Sequence, residues 1–204
     1  MSSIRTPKQH RSIQTKNRIM KAAFNLYARK GIHGTNSKEI AEKAGVSIGS
    51  FYSYFKNKKA LLLEMLEDYL DRHFEAIWKP VAHLTTTEMN RDDIHLIIEN
   101  VFRAYDISPQ FHRQTHAQRY SDPDINRIYA RERNREVEQV RFIIENNIHR
   151  TKIKDPLAAA LVIHNTVENV AHTAKFIGLE IDEQRLINQL TDMLHSFFTN
   201  GVSP

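Results

Sequence analysis

Apolar side chains recur at helical spacing along most of the 204-residue chain. The first such segment covers residues 12–30 and places its apolar residues three or four positions apart, at Ile19, Ala22, Ala23, Leu26 and Tyr27. This is the period of an amphipathic helix, and Gly31 then gives a stop signal. The sequence has six Gly and six Pro, which fall between the periodic segments. The pattern therefore predicts an all-α protein of about nine helices.

Two short helices separated by a tight turn are predicted next. Asn36 begins a capping box, in which its side chain and that of the residue at N3 each accept the other's backbone N–H. Gly45 suits the left-handed position after a helix, and Ser47 is a candidate N-cap for the helix that follows. Phe51 and Phe55 lie four residues apart on that helix, and we expect both to pack inward.

The later helices are predicted from their caps. Asn57 caps a long fourth helix, and Asn90 opens the next one. Asp122 and Asp155 are each followed by Pro, which is the pattern of an N-cap and a first helical residue. The last helix begins at Asp182, and its apolar stripe is wide enough to bury two faces.

Charge is distributed unevenly along the chain. Residues 1–59 hold thirteen Lys or Arg and two acids, whereas the remaining chain holds sixteen Lys or Arg and twenty-two acids. A basic helical module joined to a mildly acidic segment indicates a protein that binds nucleic acid. We divide the chain into a basic, disordered arm at 1–11, a helix-turn-helix domain at 12–57 and a larger helical domain at 58–204.

Composition excludes several classes of function. The sequence has no cysteine, which excludes disulfides, thiolate catalysis and Cys-ligated zinc. The amino terminus lacks the apolar core of a secretory signal, and the longest apolar run, 157–163, is too short to span a bilayer. No Gly-rich phosphate loop and no pairing of a nucleophile with a base is found. We therefore expect a cytoplasmic protein that is not an enzyme, has no cofactor and does not bind a membrane.

One ordered series of motifs covers about a quarter of the chain. It consists of Gly31-x-x-x-Thr35, then Ile40-Ala41-x-x-Ala44-Gly45-Val46-Ser47-x-Gly49-Ser50-Phe51-Tyr52-x-Tyr54-Phe55, then Asn57-Lys58 with Leu61-Leu62. In this order and spacing the motifs resemble the DNA-binding domain of the TetR family of bacterial one-component transcription regulators. The resemblance implies a three-helix DNA-binding domain followed by a larger helical domain for ligand binding and dimerisation. The carboxy-terminal part resembles the family only in its length and helical count.

The resemblance also implies roles for residues of the helix-turn-helix. Helix N-termini expose N–H groups that favour a phosphate, and such ends occur at Asn36, at Ser47 and at residues 57–58. Lys38 and the residues at 48–50 would face base edges, where Ile48 could meet a thymine methyl. The predicted DNA-contacting residues are Thr35, Asn36, Lys38, Ser47, Ile48, Gly49, Ser50, Tyr52, Tyr54, Lys56 and Lys58.

The aromatic residues of this stretch have two interpretations. They could form only a core cluster, and for Phe51 and Phe55 we adopt that interpretation because of their spacing. For Tyr52 and Tyr54 the neighbouring lysines favour a surface that faces phosphate. The arm at 1–11 could enter a minor groove as homeodomain arms do, but we expect it to be solvated and disordered.

The larger domain carries weaker signals for a small-molecule pocket and for a dimer interface. Aromatic residues at helical spacing line a pocket or simply form core, and Arg119 is a candidate anchor for an anionic ligand. The pocket candidates are Phe74, Trp78, Phe102, Tyr105, Phe111, Arg119, Asn169, His172 and Phe176. The resemblance implies that the last two long helices pair with those of a second copy. The interface candidates are Ala160, Val167, Ala171, Leu190, Leu194 and Phe197.

Eleven histidines raise the question of a metal site. His112 and His116 are four residues apart, and His164, Glu168 and His172 form a longer stripe with the same spacing. A closed structural site needs four ligands, and no third carboxylate is in register, so we predict no metal. The stripe at 164–172 could belong to a dimer interface, to a pocket wall or to neither.

Two functions remain open. In the first, a homodimer binds a pseudo-palindromic operator in double-stranded DNA as a sequence-specific transcriptional repressor and releases it when an unknown small-molecule effector binds. In the second, the protein binds DNA without small-molecule input, as an architectural or partner-controlled protein. The second alternative predicts a larger domain that is packed without a cavity.

Overall fold

The computed structural model describes residues 10–86, 89–147, 153–178 and 180–199. Every regular element in these ranges is helical, which confirms the all-α prediction. The described residues form nine α-helices, with short 3-10 segments at Lys79–Thr86 and Tyr105–Ile107. The α-helices are α1 (His10–Lys30), α2 (Ser37–Lys43), α3 (Ile48–Tyr54), α4 (Lys58–Trp78), α5 (Arg91–Ala104), α6 (Pro109–Gln118), α7 (Pro123–Asn146), α8 (Pro156–Phe176) and α9 (Glu183–Thr199).

The predicted N-caps of the helices after α1 are confirmed. Asn36 and Asn90 each form a complete capping box, and Ser47 accepts the backbone N–H of Ser50 at 3.0 Å. The side chain of Asp155 accepts an N–H from the first turn of α8, and Asp122 does the same for α7. These contacts satisfy N–H groups that a helix start leaves without an intrahelical partner.

The turn between α2 and α3 depends on Gly45. Its φ of 65° lies in the left-handed region, which glycine adopts without the steric cost that a Cβ imposes. The N–H of Val46 donates to the carbonyl of Ala41 at 3.0 Å, which closes the end of α2 as a Schellman motif. The chain can therefore reverse within three residues and begin α3 at once.

The chain divides into two compact units, and the division differs from the predicted domains. The first unit comprises Met1–Tyr69 and Gln110–Ile128, and the second comprises Leu70–Pro109 and Tyr129–Pro204. Helix α6 belongs to the first unit because Gln114 there closes the end of α1. Its side-chain oxygen accepts the N–H of Ile32 at 3.0 Å, and its amide donates to the carbonyl of Tyr27 at 3.0 Å.

Helix α1 begins earlier than predicted, at His10, so it includes the last two residues of the predicted arm. The remainder of that arm, residues 1–9, lies outside the described residues.

The core of the second unit is built on α5, which packs against both α8 and α9. Each of these helices turns an apolar stripe toward the others, as the spacing of their apolar residues predicts. The buried residues of this core are Ile94, Ile98, Phe102, Tyr105, Val137, Ile144, Ala160, Ile163, Val167, Ala171, Ile187, Leu190 and Leu194. No helix in the described residues combines the length and the hydrophobicity that a membrane crossing would require.

Candidate functional site

The outer surface of α2 and α3 gathers most of the residues predicted to contact DNA. Asn36, Lys38, Ile48 and Tyr52 line one shallow depression between the two helices. Ser47, Gly49 and Lys56 are exposed as well, and Ser50 is half-buried. The structure therefore places polar, basic and apolar groups side by side on one open face.

The opposite face of α3 fixes the helix in place. Phe51 is fully buried and its ring lies 5.9 Å from that of Phe55, centroid to centroid. Both residues are core, as predicted. With this face buried, Ile48 and Tyr52 point outward and are 42% and 49% exposed. They lie four residues apart, so they share one side of the helix.

The expectation that Tyr54 faces phosphate from the surface is wrong. The side chain is buried, and its hydroxyl hydrogen-bonds to the hydroxyl of Ser12 at 3.0 Å. Tyr54 follows Phe51 by three residues, so it falls on the inner side of α3 and ties that helix to the beginning of α1.

Two further predicted phosphate contacts have structural partners within the first unit. The Thr35 side chain is buried, and its hydroxyl donates to the carbonyl of Gly31 at 2.9 Å. The ammonium of Lys58 donates to the carbonyls of Ile32 and Thr35, at 2.8 and 2.6 Å. The side chains of Thr35 and Lys58 therefore hold the segment between α1 and α2, contrary to the role predicted for them.

The acidic groups near this face are partly neutralised. Lys30 donates to the carboxylate of Glu39 at 2.7 Å, and this hydrogen bond is the main reason that the pKa of Glu39 lies below its usual value. Glu42, the other acid among residues 1–59, is exposed beside Lys38 and Lys43. The face therefore keeps the basic character that its composition predicts.

The second unit contains a cavity with about 80 Å³ of space open to the centre of a water molecule. By the same measure one water needs about 10–15 Å³, so the cavity holds several waters or a small ligand group. Its polar side is formed by His73, Glu136, His164 and Glu168. Its apolar side chains are Ile77, Trp78, Met89, Ile94, Ile97, Ile98, Val101, Val140, Ile143, Ile163, Val167, Leu194 and Phe198.

Most residues predicted to line a pocket lie elsewhere. Of the nine, only Trp78 lines this cavity, and its indole N–H has no hydrogen-bond partner in the described part of the chain. Phe102 and Tyr105 are buried in the core of the second unit. The rings of His172 and Phe176 contact each other in a tilted arrangement, with centroids 4.9 Å apart.

The other predicted pocket residues do not line this cavity. Phe111 belongs to the first unit, where its ring packs 5.6 Å from that of Tyr69. Arg119 lies in the same unit and donates to the hydroxyl of Tyr120 at 2.6 Å. In the second unit, Phe74 lies beneath the guanidinium of Arg135, and Asn169 is exposed. The prediction failed because aromatic spacing on one helix does not show which other helices it meets.

The predicted dimer interface is also corrected in part. Five of its six residues are buried within the chain itself, namely Ala160, Val167, Ala171, Leu190 and Leu194. They form the inner stripes of α8 and α9, so they are not available to a second copy. Phe197 is 44% exposed, and the outward sides of the two helices also carry Leu157, Val162 and Met193.

Burial sets the protonation of the polar side of the cavity. It lowers the pKa of His73 and of His164 to about 4, so both imidazoles are neutral at pH 7. Burial also raises the pKa of Glu136 well above its usual value, and the neighbouring carboxylates of Glu168 and Glu132 raise it further. This end of the cavity is therefore suited to a cation or to a hydrogen-bond donor.

Sequence reasoning missed His73 and Glu136. The first lies on α4 and the second on α7, far along the chain from the stripe that contains His164 and Glu168. The Glu-rich and Arg-rich pattern of α7 indicates a solvated face, and nothing in it distinguishes Glu136 from its neighbours. From the sequence, the stripe at 164–172 could belong to a dimer interface, to a pocket wall or to neither. His164 and Glu168 line the cavity, so for these two residues the pocket wall is correct.

Comparison with known proteins gives matches in sequence and in fold. Residues 19–65 match the family of bacterial regulatory proteins named tetR. The HTH-type transcriptional regulator YuxN of Bacillus subtilis, itself uncharacterized, is 46% identical over 59 residues, which are 29% of this chain and 20% of YuxN. The HTH-type transcriptional repressor KstR2 of Mycolicibacterium smegmatis is 35% identical over 66 residues, which are 32% of this chain and 31% of KstR2.

The fold of the chain is shared more widely. A crystal structure from Mesorhizobium loti that is assigned to the TetR family superposes with a TM-score of 0.78, covering 93% of this chain and 97% of that one at 19% identity. The sequence matches span less than a third of the two curated relatives, so they concern one segment of each protein. Residues 19–65, which hold the motif series and the exposed α2–α3 face, are therefore a segment of the TetR family of bacterial regulatory proteins, and the chain shares its fold with the Mesorhizobium loti protein.

Proposed function

We propose that the protein is a homodimeric transcriptional repressor that reads duplex DNA with α2 and α3 and releases it when a small molecule enters the cavity of the second unit. Its relatives are named as transcription regulators and none of those compared is an enzyme, in agreement with the sequence-based prediction. KstR2 is named a repressor, which favours repression over activation.

The observation that carries the proposal is the exposed group of Lys38, Ile48 and Tyr52. The three side chains come from two helices and line one depression in a basic unit. Lys38 can reach a phosphate or a base edge, and Ile48 offers apolar contact to a thymine methyl. The Tyr52 hydroxyl can donate to a phosphate oxygen. The same three groups thus supply both positioning and sequence discrimination.

A single such unit covers only a few base pairs, so a second copy is needed for a specific site. Two recognition helices of a dimer meet successive major grooves when they lie about 34–36 Å apart. The outward apolar side chains of α8 and α9, including Val162, Met193 and Phe197, provide a surface for pairing. We therefore place the dimer contact on the outer sides of these helices.

The cavity favours small-molecule control over the alternative without an effector. A domain used only for architecture or for a protein partner has no need of an internal space lined by thirteen apolar residues. Pockets that bind small molecules are mostly apolar and have a few convergent polar groups, and this cavity has that composition. An effector acts on DNA binding to the extent that it prefers one conformation of the dimer.

The first prediction concerns DNA contact by the α2–α3 face. Tyr52→Ala is expected to weaken binding to duplex DNA at least about tenfold, since a hydrogen bond to a charged group contributes roughly 1.5–3 kcal/mol. Lys56→Ala is expected to reduce the slope of log affinity against log salt by about 0.9, the value for one lost phosphate contact. Fluorescence anisotropy with a labelled duplex at several salt concentrations measures both quantities.

Two control variants sharpen that experiment. Lys154→Ala removes an exposed charge of the second unit and should leave affinity and slope unchanged. Lys58→Ala removes the ammonium that holds the Ile32 and Thr35 carbonyls, so it should lower the thermal midpoint, which Lys56→Ala should not. Wild-type affinity and slope in both Tyr52→Ala and Lys56→Ala would contradict the assignment of this face.

The second prediction concerns the dimer. Phe197→Glu places a charge on the outer side of α9 and is expected to produce monomers at micromolar concentration, because an unpaired charge is costly to bury in an interface. Phe142→Glu is the matched control, since Phe142 is 48% exposed on α7 and Phe197 is 44% exposed. Sedimentation equilibrium measures the molar mass of each variant, which should be that of a monomer for Phe197→Glu and of a dimer for Phe142→Glu. A dimer in both variants would place the interface elsewhere.

The third prediction uses Trp78, the single tryptophan of the sequence. Because Trp78 lines the cavity, a compound that releases the protein from DNA should also change the intensity or wavelength of its emission. Val101→Phe narrows the cavity and should weaken binding of that compound at least about tenfold. Suppose that an effector releases DNA, leaves Trp78 emission unchanged and binds the Val101→Phe variant as tightly as the unchanged protein. That result would show that the effector binds outside the cavity.

A further inference from the structure

We propose that Glu136, His164 and Glu168 bind a divalent transition-metal ion at the polar side of the cavity. The site goes beyond the proposed function and does not depend on it, since metal binding can be measured without DNA. The sequence indicated only the stripe of His164, Glu168 and His172 on α8, and α7 supplies the third ligand, Glu136.

The geometry of the three side chains fits one ion. Each offers a ligand atom, and these atoms all lie within 4.8 Å of one another. Glu136 Oε2 and His164 Nδ1 are 3.5 Å apart. Two ligands of a tetrahedral zinc ion, each bonded at about 2.0–2.2 Å, lie about 3.4 Å apart, so this pair already has the required separation.

A network of direct hydrogen bonds explains these distances less well. Hydrogen bonds between nitrogen and oxygen are about 2.7–3.2 Å long, and both contacts of the Glu136 carboxylate to imidazoles are longer. The second of them joins Oε1 to His73 Nδ1 at 3.9 Å. The 3.5 Å contact to His164 is thus longer than a hydrogen bond and close to the spacing of two ligands on one ion.

The chemistry of the donor atoms also suits a metal. Imidazole nitrogen and carboxylate oxygen are both ligands of divalent transition-metal ions. Glu136 is buried, and its carboxylate forms one cluster with the side chains of His164 and Glu168.

Two arginines on α7 have partners outside the cluster. Arg135 forms a 2.7 Å contact with Asp71 and a 3.5 Å contact with Glu132, which engage its guanidinium on the surface. Arg133 is exposed and its guanidinium lies 3.4 Å from the side-chain oxygen of Asn165. In the described part of the chain, the ion-pair contacts of Glu136 are those to His73 and His164.

The donor set indicates the class of metal. One imidazole and two carboxylates suit Zn²⁺, Co²⁺, Mn²⁺ or Fe²⁺ better than Mg²⁺, which prefers oxygen alone. Three protein ligands leave at least one position for an exchangeable group. Because all three ligands line the cavity, an effector with an oxygen donor at one end would complete the coordination from within it.

The test uses the full chain after treatment with a chelator. Isothermal titration with Zn²⁺, and metal analysis after dialysis, are expected to show one tight site per chain. Co²⁺ is expected to give visible absorption bands of a site with nitrogen and oxygen ligands. Glu168→Gln and His164→Gln should each weaken Zn²⁺ binding at least about tenfold, since changes to metal-site residues typically cost that much or more.

Glu138→Gln is the matched control, because Glu138 lies on the same helix as Glu136 but is exposed and paired with Arg141. It should bind Zn²⁺ as the unchanged protein does. Equal affinity in all variants would assign any binding to other histidines and overturn the proposal, as would the absence of saturable Zn²⁺ binding at micromolar concentration. A normal circular dichroism spectrum and thermal midpoint of Glu168→Gln keep the test valid if His164→Gln does not fold. Loss of DNA binding would bear on the proposed function alone.

Discussion

Helix α3 has seven residues, too few to persist through its own backbone hydrogen bonds, so its position depends on the burial of Phe51. That ring and Phe55 fasten the inner face, while the Ser47 cap and the left-handed Gly45 fix where the helix begins. Because the inner face is fixed, the outer residues keep one orientation toward solvent. A rigid, exposed helix of this kind can read a groove at little entropic cost.

In the second unit, burial of apolar helix faces again fixes the helices, but it leaves a cavity among them. Helices α5, α8 and α9 bury broad apolar faces against one another, yet the core includes carboxyl and imidazole groups beside a cavity. Burying Glu136 without a cation is costly, since the charged form loses its hydration. Proteins tolerate such groups where they serve a site. In the proposed function, the first unit therefore contacts DNA through α2 and α3. The second unit holds the cavity and its polar groups, which can respond to a small molecule.

The sequence predicted the helix caps, which depend on neighbouring residues, and missed the sites that the tertiary structure assembles from distant residues. Caps such as Asn36 and Ser47 depend on three or four neighbouring residues, and the structure has them where the pattern placed them. The cavity joins residues from five helices, so no spacing rule could reveal that Glu136 meets His164. The dimer prediction took the apolar stripes of α8 and α9, which the fold uses for its own core. Lys58 shows the same limit, since its carbonyl partners are fixed only by the tertiary structure.

The central claim is that two copies of the α2–α3 face read the sequence of duplex DNA together. In vitro selection from duplexes with a long random segment tests it most directly, because no operator need be known beforehand. The account predicts enrichment of an inverted repeat with half-sites about one helical turn apart, or slightly more, bound at least about a thousandfold more tightly than random DNA. Selection that enriches no motif, or a single half-site without its repeat, would contradict it.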